Sequence, residues 1–160
     1  MHPRILVIDI ETSPLECYTW GVGDQVISLE QLKVDWSILA YCGIWLDEPK
    51  KAIYADTSGR GPKKVRDDRV LLKGLYDLLD EADIVIGQNH RRFDIKKINT
   101  RLLLNGYKPY SPIRLVDTFE VAKKTFGFPS NKLQYMSSVA TDTPKLTHKK
   151  FPGWELWLEC

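Results

Sequence analysis

The chain has 160 residues, with 43% hydrophobic and 28% charged, which suits one folded domain and excludes a disordered or collagen-like chain. No apolar run approaches the roughly 18 residues of a membrane helix, and the apolar start is too short for a secretory leader, so a cytoplasmic protein with no membrane partner is expected. The net charge of +2 conceals an asymmetry: residues 1–84 carry 10 Lys/Arg against 15 Asp/Glu, whereas residues 85–160 carry 13 against 6.

In chain order, residues 4–9 are predicted to form a strand. Ile5, Leu6, Val7 and Ile8 make the short continuous apolar run expected of a sheet covered on both faces. Residues 10–23, with Pro14, Gly21 and Gly23, read as a loop. Residues 36–46 and 51–55 read as two strands joined by the turn at Asp47-Glu48-Pro49, a hairpin or meander. After a loop at 58–62, Asp67 or Asp68 is placed to cap a helix whose Leu71, Leu75 and Leu78 recur on one face.

Ile84, Val85 and Ile86 form another short strand, followed by a helix from about Phe93 with Ile95, Ile98 and Leu102 turned inward. Asn105-Gly106 suits its left-handed C-cap. Pro109 and Pro112 precede an extended segment at 114–117, and helices are predicted at 119–125 and 132–139, the second capped by Ser130 or Asn131. The order implies one α/β domain: an antiparallel meander, then α/β crossovers, giving a mixed sheet flanked by helices.

Two segments carry chemistry. Asp9 and Glu11 stand two residues apart in extended chain and so project to the same side. Two carboxylates that close repel unless a cation lies between them, and hard oxygen ligands favour Mg²⁺ or Mn²⁺. Asp94 follows the next buried strand and opens a helix, where a negative charge is also at home for purely structural reasons. If the two strand ends are neighbours, the three acids converge on one metal site.

Cys17, Cys42 and Cys160 are odd in number and widely spaced, so they are expected neither to clip a metal nor to staple the fold. The basic groups at Arg91, Arg92, Lys96 and Lys97, at Lys123 and Lys124, and at Lys145, His148, Lys149 and Lys150 would either follow a phosphate backbone or form a solvated face. Trp36 and Trp45 are expected in the core; Trp20, in the loop after the first acids, is open to a role beside substrate.

The segment DIET at 9–12, together with Asn89, Phe93 and Asp94 in the pattern N-x3-FD about 85 residues on, resembles motifs I and II of the DEDD superfamily of 3′–5′ exonucleases, which have an RNase H-like fold. Val116-Asp117-Thr118 resembles the segment after motif II, and Gly153-Trp154-Glu155-Leu156-Trp157 resembles bacterial and phage members related to the exonuclease domain of family B DNA polymerases. The resemblance implies an enzyme that uses two Mg²⁺ or Mn²⁺ ions to hydrolyse phosphodiester bonds at the 3′ end of single-stranded DNA or RNA.

Asp9, Glu11 and Asp94 would be its metal-holding catalytic acids. Thr12 and Asn89 would meet the terminal nucleotide, with Arg91, Arg92 and Phe93 beside them. For Phe93 we expect packing beneath the helix start in preference to stacking on a base. Motif III, an Asp preceded by Tyr or His, has no counterpart: Tyr135 and Asp142 are seven residues apart, and His148 is followed by Trp154 and Glu155.

Three readings follow. The favoured one is a C-terminally incomplete exonuclease domain with little or no activity as this chain alone. The others are replacement of the fourth acid by Asp117, Glu155 or Glu159, or a catalytically inactive module that binds nucleic acid or protein.

Overall fold

The computed structural model describes residues 2–57 and 67–142. The expected loop at 58–62, the basic group at 145–150, the motif-like tail at 153–157 with Trp154 and Trp157, and Glu155, Glu159 and Cys160 lie outside the described residues.

The first strand, β1 (Ile5–Thr12), is longer than expected and contains the whole DIET segment. It is followed by a short pair, β2 (Glu16–Cys17), inside the stretch read from sequence as loop, and β3 (Leu32–Val34), beyond it. β4 (Ile38–Trp45) and β5 (Ala52–Asp56) form the expected antiparallel hairpin. Helix α1 (Arg69–Glu81) leads to β6 (Ile84–Gly87), α2 (Asp94–Leu104) to β7 (Arg114–Asp117), and α3 (Thr118–Thr125) and α4 (Leu133–Ala140) close the described chain.

The main sheet has the order β5-β4-β1-β6-β7. β1 is central, antiparallel to β4 on one side and parallel to β6 on the other, and β7 runs parallel to β6. The sheet is therefore mixed, with an antiparallel meander first and α/β crossovers after it, as expected.

Why these residues build it is clearest in β1. Leu6, Ile8 and Ile10 are buried, at 4% exposure or less, whereas Val7 is 37% exposed and Asp9 and Glu11 lie on its side of the strand. The apolar run thus alternates between a covered and an open face, which corrects the expectation of a strand buried on both sides. The covered face packs with Tyr41, Trp45 and Val85 under α1 and α2. α1 contributes Leu71, Leu72, Leu75, Leu78 and Leu79, residues that a 3.6-residue period gathers into one stripe.

Gly74 is needed where α1 crosses β4, because a Cβ there would meet the Tyr41 hydroxyl. α2 buries Ile95, Ile98 and Leu102 as predicted, and Gly106 takes a φ of 76° just past its C-cap, Asn105.

Asp68 occupies the capping position of α1, yet its buried carboxylate does other work. It accepts the Ile38 N–H at 3.0 Å and two hydrogen bonds from Arg101 of α2, at 2.7 and 2.8 Å. The pair ties β4, α1 and α2 together. Removing one partner from such a buried bidentate pair leaves an uncompensated charge, which costs about 3 to 5 kcal/mol. α4 likewise starts without a side-chain cap; the Ser130 hydroxyl accepts from Lys132 N at 3.3 Å just before it.

Candidate functional site

The site begins with a mismatch in strand length. Parallel pairing between β1 and β6 runs from Ile5↔Ile84 to Val7↔Ile86, whereas antiparallel pairing with β4 carries β1 on to Thr12↔Ile38. Past Val7 the β6-side edge of β1 has no strand beside it. Asp94, the first residue of α2, reaches into this notch, and its carboxylate accepts the N–H of Ile10 at 3.0 Å.

Ile10 lies between Asp9 and Glu11, so Asp94, 84 residues on from Ile10, is joined to the strand of the first pair through the backbone. Asp9, paired with Cys42, and Glu11, paired with Ala40, share the open face of the sheet. A groove of about 410 Å³ runs along that face beside Asp9, lined by Val7, Cys42, Ile44, Ile86 and Leu133. Thr12 follows a register shift and is half-buried. Ser13 and Ser37 then lock the strand end to β4: Ser13 N–H donates to the Ser37 carbonyl at 2.9 Å, and Ser37 N–H to the Ser13 hydroxyl at 3.0 Å.

Asp94 is 3% exposed, and its carboxyl is pushed up to about 6. Burial is the main cause; the nearby Asp9 charge adds to it, and the Ile10 N–H opposes it. A buried carboxyl held near a second carboxylate is a common mark of a functional site. Among the described residues, however, no three His, Cys, Asp or Glu side chains stand close enough together to enclose a metal ion. Carboxylates are the donors a hard divalent cation takes, but these three do not enclose an ion: Asp9 and Glu11 share one face of β1, and Asp94 reaches the backbone between them.

The segment between β6 and α2 carries the other candidates. Asn89 has φ 59°, a left-handed conformation that Asn tolerates better than most residues, and it is half-buried. Phe93 is 41% exposed, contrary to the expectation that it packs beneath the helix. It sits at the capping position, where the backbone has not yet turned into the helix, so its ring leaves the core.

Arg91 turns away from the acids. Its guanidinium hydrogen-bonds the Leu115 carbonyl and lies 3.5 Å from Glu120. Arg92 is exposed. Lys97 lies 3.6 Å above the Trp36 ring and 5.5 Å from that of Phe93. Burial there lowers its pKa, against the pull of Asp35.

The tryptophans follow the sequence reading, while His90 escaped it. Trp36 is partly buried against the core and also carries Lys97, and Trp20 is fully exposed in the loop after β2. His90 is completely buried, and neither ring nitrogen makes a hydrogen bond. Its pKa is lowered by burial, which outweighs the Asp117 carboxylate 3.5 Å from Nδ1.

Asp117, considered from sequence as a replacement ligand, is 2% exposed and accepts backbone N–H groups from Asn89, Arg91, Phe119 and Glu120. Burial alone would raise its pKa, but these donors hold it below the ordinary carboxylate value. The signal for this role was an Asp-Thr pair at a strand-to-helix boundary, a normal capping signature.

No helix among the described residues is long and apolar enough to cross a membrane. No family model matches the sequence, and no curated protein matches it. Among solved structures, the chain is similar to the family B DNA polymerase from the hyperthermophilic archaeon Pyrobaculum calidifontis, with a TM-score of 0.65 and 16% identity over 98% of this chain. The match takes in 21% of the polymerase chain, so this chain spans about a fifth of its length. The likeness is one of fold, and the mixed five-stranded sheet with flanking helices is RNase H-like.

Proposed function

We propose that this chain is a 3′–5′ exonuclease-type domain that hydrolyses phosphodiester bonds at the 3′ end of single-stranded nucleic acid with the help of Mg²⁺ or Mn²⁺. One observation carries the reading: the buried Asp94 carboxylate, its pKa raised by burial and by Asp9, is tied to the backbone between Asp9 and Glu11. Asp94 is thereby linked to the strand that carries Asp9 and Glu11, and a divalent cation between these acids would offset their mutual repulsion.

Asp9, Glu11 and Asp94 would hold two ions. Bound there, the ions supply a water of lowered pKa and positive charge for the attacking and leaving oxygens. The protein's own part is placement. Asp94 is fixed by the Ile10 N–H and Asp9 and Glu11 by strand register, and the half-buried Thr12 and Asn89, with the exposed Phe93 ring, would meet the terminal nucleotide. Stacking of one base on such a ring is worth about 1 to 3 kcal/mol.

A catalytically inactive nucleic-acid-binding module is the second reading. It is favoured by the absence, among the described residues, of three acids close enough to enclose an ion. Titration with Mn²⁺ separates the two. The enzyme reading expects binding that Asp9→Ala and Asp94→Ala each abolish, and weak metal-dependent shortening of a 3′-labelled oligonucleotide. Salt-dependent oligonucleotide binding with no metal uptake at millimolar Mn²⁺ would establish the second reading and sink the first.

A further inference from the structure

We infer that Asp117 is a positioning residue for this site: its carboxylate sets the turn at residues 89–91 and, through that turn, the direction in which Asp94 points. The inference rests on the reading of Asp94 given above.

β6 ends at Gly87 and α2 begins at Asp94, so residues 88–93 must redirect the chain within one short turn. Asn89 stands in the left-handed region, which brings its N–H and that of Arg91 to the same side. Both meet Asp117. Oδ1 accepts from Asn89 at 2.8 Å and Oδ2 from Arg91 at 3.1 Å. Oδ1 also accepts from Phe119 at 3.0 Å and Glu120 at 3.4 Å, so the same group caps α3.

From the turn the chain of bonds continues into α2. The Asn89 carbonyl accepts from Arg92 and Phe93, both at 3.2 Å, and the His90 carbonyl accepts from Ile95 at 2.9 Å. Asp94 lies between these last two residues, and its carboxylate ends the path on the Ile10 N–H.

The underside of the turn leaves no slack. His90 is fully buried, and a Cβ on Gly87 would lie 2.8 Å from His90 Cβ and 3.0 Å from the Ile8 carbonyl. Gly87 and Asp117 are direct partners in the β6–β7 ladder, so the carboxylate is delivered to the turn by sheet register. With both oxygens taken by four backbone donors and 2% exposure, Asp117 has no face left for a cation. Its position explains why an acid so close to the site supports the ligands and does not join them. Residues that orient a metal ligand from behind commonly change metal affinity by about 10- to 100-fold when altered.

The test uses the full chain with Asp117→Asn and Asp117→Ser. Ser keeps an acceptor for the start of α3 and removes the second oxygen, so it guards against simple misfolding. Two readouts are taken well below the melting temperature: hydrogen exchange of the Ile10 amide without metal, and Mn²⁺ affinity by calorimetry. Both variants are expected to speed Ile10 exchange about tenfold or more while amides of the β4–β5 ladder keep wild-type rates, and to weaken Mn²⁺ binding by about tenfold or more.

A lower melting temperature with unchanged Ile10 protection and Mn²⁺ affinity would mean a merely structural cap, and would overturn the inference. If the unaltered chain binds no Mn²⁺, the exonuclease reading falls, and the exchange measurement alone decides the role of Asp117.

Discussion

Asp94→Asn should make the metal-free protein more stable, and the gain should depend on pH. In the native state the Asp94 carboxyl holds its proton up to about pH 6; in the unfolded chain it releases it near 3.8. Between those values the native state binds more protons, so this group's contribution to stability is complete below about pH 4 and is lost as pH rises through 6. A displacement of about two pKa units corresponds to about 3 kcal/mol at most.

Asn keeps a carbonyl oxygen for the Ile10 N–H and removes the charge that burial and Asp9 penalise. Urea unfolding in EDTA at pH 4, 6 and 8 reads the difference. The variant should match the native protein at pH 4 and exceed it by about 1 to 3 kcal/mol at pH 8. Millimolar Mg²⁺ should stabilise the native protein and leave the variant unmoved. A stability difference that is flat across this range, or a variant less stable at pH 8, would refute the account of Asp94.

Gly87→Ala should cost about 1 to 3 kcal/mol in denaturant titrations, because the new methyl lies 2.8 Å from His90 Cβ with the Ile8 carbonyl behind it. Asp68→Ala should cost about 3 to 5 kcal/mol, since Arg101 and the Ile38 N–H lose their buried partner; a loss below 1 kcal/mol would show that water reaches the pair. Trp20→Ala should stay within about 0.5 kcal/mol of the native protein by thermal melting, as the ring is fully exposed.

Local pattern was enough for the elements whose stabilising contacts repeat along the chain. The leucine stripe of α1, the β4–β5 hairpin and the Asn105-Gly106 cap were all readable. β1 was cut short because its last residues alternate Ile with acids and Thr, a sequence that says loop by composition. Pairing with β4, a contact across some 30 residues, holds it extended.

The placement of Asp9 and Glu11 on one side followed from strand geometry alone. Their approach to Asp94 required the relative lengths of β1 and β6, which no local pattern encodes. Phe93 was misjudged for a related reason. A helix-start Phe is usually tucked in, but here Phe93 stands at the capping position with non-helical backbone and faces outward, a consequence of the turn that no local pattern encodes.

The alternation of β1 also limits how the chain can change. Sliding the strand by one residue would send Asp9 and Glu11 into the leucine-rich interior and expose Leu6, Ile8 and Ile10 together. A single inserted or deleted codon between residues 5 and 9 therefore disrupts the core and misplaces both acids in the same step. Point substitutions on the open face can erase the acids and leave the core intact, so the shape of this fold should outlast its acids.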